Sequence, residues 1–173
     1  MLSLLLGSLG LDVAHPGVSN RFMINTKDKL TIKYNDQSVL ESMHCAVTFK
    51  TLLKPENNII SNVSYEDWLV IRKIMVALIM NTDMAKHFDL VVHFRNTFLN
   101  KEREMSKFDE RLQALVMTMK CADIGHAAKK NDLHVKWSQN ICEEFFIQGD
   151  LERTKGLPVS IFCDRHNTDL GES

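Results

Sequence analysis

Leu112, Leu115, Val116 and Met119 recur at spacings of three and four, and Asp123 falls on the same stripe, four after Met119 and seven after Val116. Apolar side chains at that period demand an amphipathic helix, here predicted over Phe108 to about Lys129. A strand, with its period of two, would scatter them over both faces. The stripe also carries a chemical conflict. If Asp123 follows its register inward, its carboxylate needs a cation, a set of donors or a metal to offset its desolvation. The bland alternative is an ion pair with Lys120 at the helix end.

The same period runs through the rest of the chain. Helices are predicted over residues 1–11, from about Asp36 to Leu53, to about Met80 from a cap at Ser64, from Thr82 and Asp83 to about Leu99, and from Asn131 to about Phe146. The apolar run Leu2, Leu4, Leu5, Leu6 and Leu9 lacks a basic lead and is too short to span a bilayer, so it reads as part of a buried helix rather than a signal peptide. Asp12 to Asn20 breaks around Pro16 and Gly17, and residues 21–35 read as loop with short helical pieces. Expected core positions are Val39, Leu40, Met43, Val47 and Leu52, then Leu69, Ile74, Met75 and Leu78, then Phe88, Val91, Val92 and Phe98. In the last long helix Leu133, Trp137, Ile141 and Phe145 recur every four residues. Gln148, Gly149 and Asp150 are expected to end or bend it, and Gly156 to Pro158 open a loop. Asn100 to Lys107, with its charge run from Lys101 to Glu104, reads as an exposed connection. With no strand alternation and no repeat, the fold class is all-α, a compact multi-helix domain covering 1–173.

Composition narrows the function. A net charge of −1 gives no basic face for nucleic acid or an anionic membrane. Cys45, Cys121, Cys142 and Cys163 form no CxxC pair, so free buried thiols in a reducing, cytoplasmic compartment are expected. The nine methionines suit a core rather than a cofactor box. His93, His134 and His166 read as surface or loop histidines.

Ser38 and Glu41 have the spacing of a capping box, with Asp36 a second candidate cap. Glu41 and His44, three apart, share one helix surface beside the apolar face. Asp12 precedes the His15-Pro16-Gly17 turn; its plain reading is a turn or cap aspartate, and His15 can bond locally. Two aspartates, a glutamate and two histidines would together suit hard divalent cations with water completing the shell. Such a site could neutralise a phosphate and activate a water.

Four stretches resemble the class I cyclic nucleotide phosphodiesterases: Asp12 to Asn20, Tyr34 to His44, Asn81 to His87, and Lys120 to His126. A fifth, holding Trp137, Glu144, Phe145, Gln148, Gly149, Asp150, Glu152, Pro158 and Cys163 to Arg165, looks like the family's next segment. The resemblance implies an all-helical, HD-like catalytic domain with two metals, zinc plus magnesium or manganese, that hydrolyses cyclic AMP or cyclic GMP in signal transduction. It implies Asp12 as a ligand bridging both metals and Asp123 as a zinc ligand. Glu41, His44 and Thr82 match positions that orient metal-bound water. Met84, Ile124 and His126, with both aspartates, would lie near the nucleotide, and the loop from Ser160 to Cys163 would rim the pocket. Leu11 stands where the family has a histidine. The family's His-Asn-x-x-His segment and purine-binding glutamine have no counterpart here. The expectation is therefore a partial catalytic domain, truncated at both ends, with impaired metal binding and little or no activity. A non-catalytic nucleotide-binding or interaction module is the alternative. The expected partner is a cyclic nucleotide, not nucleic acid. A homo-oligomer is compatible with the sequence, and membrane attachment is not visible in it.

Overall fold

The structure is a computed structural model, and it describes residues 1–98 and 107–167. The predicted charge run from Lys101 to Glu104 lies outside the described residues. Eight α-helices occur among them: α1 (Leu2–Gly10), α2 (Asn20–Asn25), α3 (Lys29–Tyr34), α4 (Val39–Leu52), α5 (Tyr65–Met80), α6 (His87–Phe98), α7 (Phe108–Asp123) and α8 (Asn131–Thr154). Short 3₁₀ turns occupy Pro55–Asn57, Met84–Lys86 and Gly125–Ala128. No strand is present among the described residues. The all-α expectation holds, and no helix is long and apolar enough to cross a membrane among the described residues. The chain divides into two compact units, residues 1–14 with 40–124, and residues 15–39 with 125–173.

In the first unit α1 packs on α5 and α7, and α7 packs on α5 and α6. One core cluster joins Phe49, Leu52, Ile60 and Met75, with Trp68 edge-on to Phe49 at a centroid distance of 5.8 Å. A second joins Leu78, Val116 and Met119, flanked by Leu4, Leu11, Ile74, Leu90 and Leu115. The expected burial of Met75, Leu78, Val116 and Met119 is therefore correct, whereas Leu69, Phe88 and Val92 are exposed.

Helix α1 buries its small residues most deeply, with Leu4 and Leu6 partly buried against the core clusters. Its buried face is Ser3, Gly7 and Gly10, while Leu2, Leu5 and Leu9 are exposed. Small residues let the helix approach its neighbours closely. A methyl group on Gly7 would lie 3.2 Å from Leu78 Cδ1, and one on Gly10 would overlap Thr48 Oγ1. Helix α4 begins at Val39, directly after Ser38, while Asp36, at a positive φ of 60°, lies three residues before its start. The Ser64 prediction is correct: its hydroxyl accepts the Asp67 amide at 3.1 Å and donates to the Asp67 carboxylate at 2.9 Å. At the start of the following segment Asp83, not Thr82, is the cap, accepting from the Ala85 amide.

In the second unit the 21–35 stretch folds as α2 and α3, capped by Ser19 and Asp28. Helix α7 ends at Asp123, six residues before the predicted stop. Helix α8 runs straight through the predicted break, to Thr154. Gly149 is there for clearance rather than for a turn. A methyl group on it would overlap the Cys163 carbonyl oxygen, so only glycine lets the following loop lie on the helix. The every-fourth stripe of Leu133, Trp137, Ile141 and Phe145 is exposed, and the buried positions of α8 are Gln148, Gly149 and Glu152. Beyond the loop, Arg165 pairs with Glu143 and Asp150, and Arg153 pairs with Asp150 and Asp164. These are surface pairs, weakened by solvent screening.

Candidate functional site

The expected site residues fall mainly in the first unit. Asp12 lies two residues past α1, where the chain turns through Ala14 at a positive φ of 60°. Asp123 is the last residue of α7. The two carboxylates lie close enough to repel one another. Crowding by protein pushes the Asp123 carboxyl above its ordinary range, Asp12 pushes it further, and Lys120 partly opposes both. Asp123 is nevertheless exposed on one side, which corrects the expectation of a wholly inward carboxylate. Helix α7 ends at this residue, so the apolar stripe stops at Met119 and Asp123 emerges at the helix end.

The plain alternative, an ion pair between Lys120 and Asp123, is not what the lysine does. Lys120 is buried, and its ammonium donates to the Asn81 carbonyl at 3.2 Å, with the Met84 sulfur 3.9 Å away. Lys86 donates likewise to the Met80 carbonyl at 2.8 Å. Two cations thus satisfy the last carbonyls of α5 and complement its dipole. Sequence pattern alone gives no hint of this role for Lys120, because it depends on α7 packing against α5.

His44 is 2% exposed, and its Nδ1 lies 2.8 Å from the Val13 carbonyl. A carbonyl can only accept, so Nδ1 carries the proton and donates. The imidazole of α4 thereby holds the backbone next to Asp12. Glu41 is half-buried on the first turn of the same helix. Its charge helps burial to push the Cys45 thiol up to about 11, with burial the larger cause. The Thr82 hydroxyl donates to the Ile79 carbonyl at 2.7 Å, which leaves its oxygen able to accept. Met84 and Ile124 are exposed.

His126 belongs to the other unit. There its Nδ1 lies 3.2 Å from Nδ1 of His134, with the rings nearly parallel at 14°. His134 is therefore no isolated surface histidine, as its sequence context suggests, whereas His93 and His166 are exposed as expected. His15 accepts the Gly17 amide at 3.0 Å, the local bond foreseen for it. The four cysteines are free, but Cys121 is exposed rather than buried.

A metal can be tested against this donor set. Among the described residues no group of three His, Cys, Asp or Glu side chains could hold an ion. Leu11, whose side chain flanks the Leu78 core cluster, offers no donor. A zinc site of three or four protein ligands therefore does not fit these residues. Asp12 and Asp123 are the oxygen donors that a hard cation would have here, with water supplying its remaining ligands.

Comparison with known proteins agrees with the fold and the motifs. A family model described as 3′5′-cyclic nucleotide phosphodiesterase matches residues 1–173. The 3′,5′-cyclic-AMP phosphodiesterase 4C of Rattus norvegicus is 38% identical over 168 residues, covering 94% of this chain and 31% of that protein. Its Mus musculus counterpart is also 38% identical over 168 residues, covering 24% of its own length. The chain thus spans less than a third of these relatives. Among solved structures, the phosphodiesterase domain of Salpingoeca rosetta rhodopsin phosphodiesterase superposes with a TM-score of 0.90 at 31% identity, covering 94% of this chain and 50% of that one.

Proposed function

The chain belongs to the 3′,5′-cyclic nucleotide phosphodiesterase family, and we propose that it forms part of a catalytic domain opening the 3′ ester of a cyclic nucleotide to give the 5′-monophosphate. Cyclic AMP is the first substrate to test, since the curated relatives are named for it. Cyclic GMP is the second. Residues 1–173 are read as one partial domain with a cytosolic place in signalling.

The observation that carries this reading is the Asp12–Asp123 carboxylate pair, with His44 holding the backbone beside Asp12. Asp12 and Asp123 would hold magnesium or manganese. When bound, such a cation supplies positive charge for the cyclic phosphate and a more acidic water. Glu41, His44 and Thr82 hold and orient the surroundings of these carboxylates. Met84 and Ile124 are assigned to the nucleotide. Because Leu11 donates nothing and no group of three ligating side chains occurs among the described residues, this chain by itself is inactive or nearly so.

The test is a thermal melt with manganese, followed by a hydrolysis assay on cyclic AMP and cyclic GMP. Manganese should raise the midpoint of the chain but not that of Asp123→Asn, and turnover should be barely measurable. Manganese stabilising both proteins equally would remove Asp123 from the site. Robust turnover lost in Asp123→Asn would overturn the inactivity while confirming the site.

A second reading is a nucleotide-binding or interaction module without turnover, favoured by Leu11 packing into the core where a donor would otherwise stand. Calorimetric titration with cyclic AMP separates the two, since binding without hydrolysis supports the module and absence of both removes it.

A further inference from the structure

Helix α8 carries a carboxylate that the sequence pattern gives no reason to bury. Glu152 is 1% exposed and lies on the same face as Gln148, which is 4% exposed and one turn earlier. Three donors converge on the Glu152 carboxylate. Oε2 accepts the Ser160 amide at 2.7 Å, while Oε1 accepts the Ser160 hydroxyl at 2.7 Å and the Gln148 side-chain amide at 2.9 Å. The other end of Gln148 accepts the Ser19 backbone amide at 2.7 Å. Its Nε2 also lies 3.9 Å from the Cys163 sulfur. Ser19 is the cap of α2, and Ser160 and Cys163 belong to the loop that lies on Gly149. Within that loop Phe162 is held at a φ of 66°, a conformation an aromatic residue keeps only when its surroundings fix it.

Each donor here has one acceptor and each acceptor its donors, so the network is closed. Its two outer contacts lie on segments far apart in sequence, joined through a single glutamine-to-glutamate bond. We propose that Gln148 and Glu152 act as one positioning pair, locking the Ser19 cap and the Pro158–Cys163 loop to α8 so that neither can loosen alone.

The chemistry predicts an asymmetric set of variants. Glu152→Gln turns one acceptor oxygen into an NH₂ that faces donors. Gln148→Glu removes the donor between the two side chains and sets two carboxylates together. Combining both substitutions restores the central bond with its direction reversed. The carboxylate then on the earlier turn still accepts from Ser19, and the carboxamide on the later turn still accepts from Ser160 through its carbonyl oxygen.

Amide hydrogen exchange on the full chain reads this directly. Glu152→Gln should lower protection at both Ser160 and Ser19, each on the order of tenfold or more, as expected when a buried hydrogen-bonded charge is lost. The double swap should recover most of it at both segments. Loss confined to Ser160, or a swap no better than the single variants, would show two independent contacts and overturn the pair. If Glu152→Gln does not fold, Ser160→Ala and Gln148→Glu carry the same comparison, and Ser19 protection unmoved in both is the overturning result. A titration with cyclic AMP separates this from the function reading. Wild-type protein that binds no nucleotide counts against that reading and leaves the exchange result standing.

Discussion

His44 and Val13 are joined by a hydrogen bond of 2.8 Å from the imidazole Nδ1 to the backbone carbonyl, across 31 residues of sequence. A buried histidine on α4 thus fixes the residue next to Asp12, and a side chain outside the carboxylate pair sets where one of its members sits. Substituting His44→Ala should destabilise the chain by about 2–4 kcal/mol, combining a cavity with an orphaned carbonyl. His44→Asn, whose side-chain NH₂ can occupy the place of Nδ1, should lose less. Denaturant melts of the two variants check this. Equal losses would show that the ring's bulk, not the bond, is what matters.

The Asp12–Asp123 repulsion makes stability depend on pH with a definite sign. A carboxyl whose folded pKa is raised binds its proton more tightly in the native state than in the unfolded one. Its contribution to stability is therefore greatest at acid pH and is lost as pH rises through the raised value. In metal-free protein Asp123→Asn should raise the melting midpoint at neutral pH. The advantage should vanish below the ordinary carboxylate range. Thermal melts from acid to neutral pH would test it, and a variant less stable than wild type throughout would contradict the repulsion.

Lys120 offsets part of that shift while its ammonium sits on the Asn81 carbonyl. Lys120→Met keeps the bulk and removes the charge. The Asp123 titration, followed by carboxyl carbon resonances, should move further up in this variant. A shift downward or none would mean that Lys120 does not act on the site.

Two glycines separate a soft close approach from a hard one. A methyl group on Gly10 meets the Thr48 side chain, which a smaller residue would shorten, whereas on Gly149 it meets the Cys163 backbone. Gly149→Ala should cost about 2–3 kcal/mol or more and displace the loop, since overpacking against backbone finds no relief. Gly10→Ala should cost less and be largely rescued by Thr48→Ser or Thr48→Ala. Matched melts decide it, and rescue of Gly149→Ala by a side-chain substitution at Cys163 would refute the backbone contact.

The helical period, the caps and the motif spacings were legible in the sequence, because they are set by residues within one or two turns of each other. Leu115, Val116 and Met119 announced α7, and Ser64 with Asp67 announced the start of α5. The family was legible too, from motifs read in order along the chain. What tertiary structure decided was which face each element turns inward. Helix α1 buries Ser3, Gly7 and Gly10 and leaves Leu5 and Leu9 outside, because close backbone approach outweighed side-chain hydrophobicity there. Gly149 lies inside a helix rather than ending one, because a loop fourteen residues later needed its missing side chain. Lys120 went to a helix end instead of to Asp123, and Glu152 was buried because three donors met it. Local periodicity fixes which element forms, but the partner of a polar group or a glycine is set by segments distant in sequence, and only the folded chain brings them together.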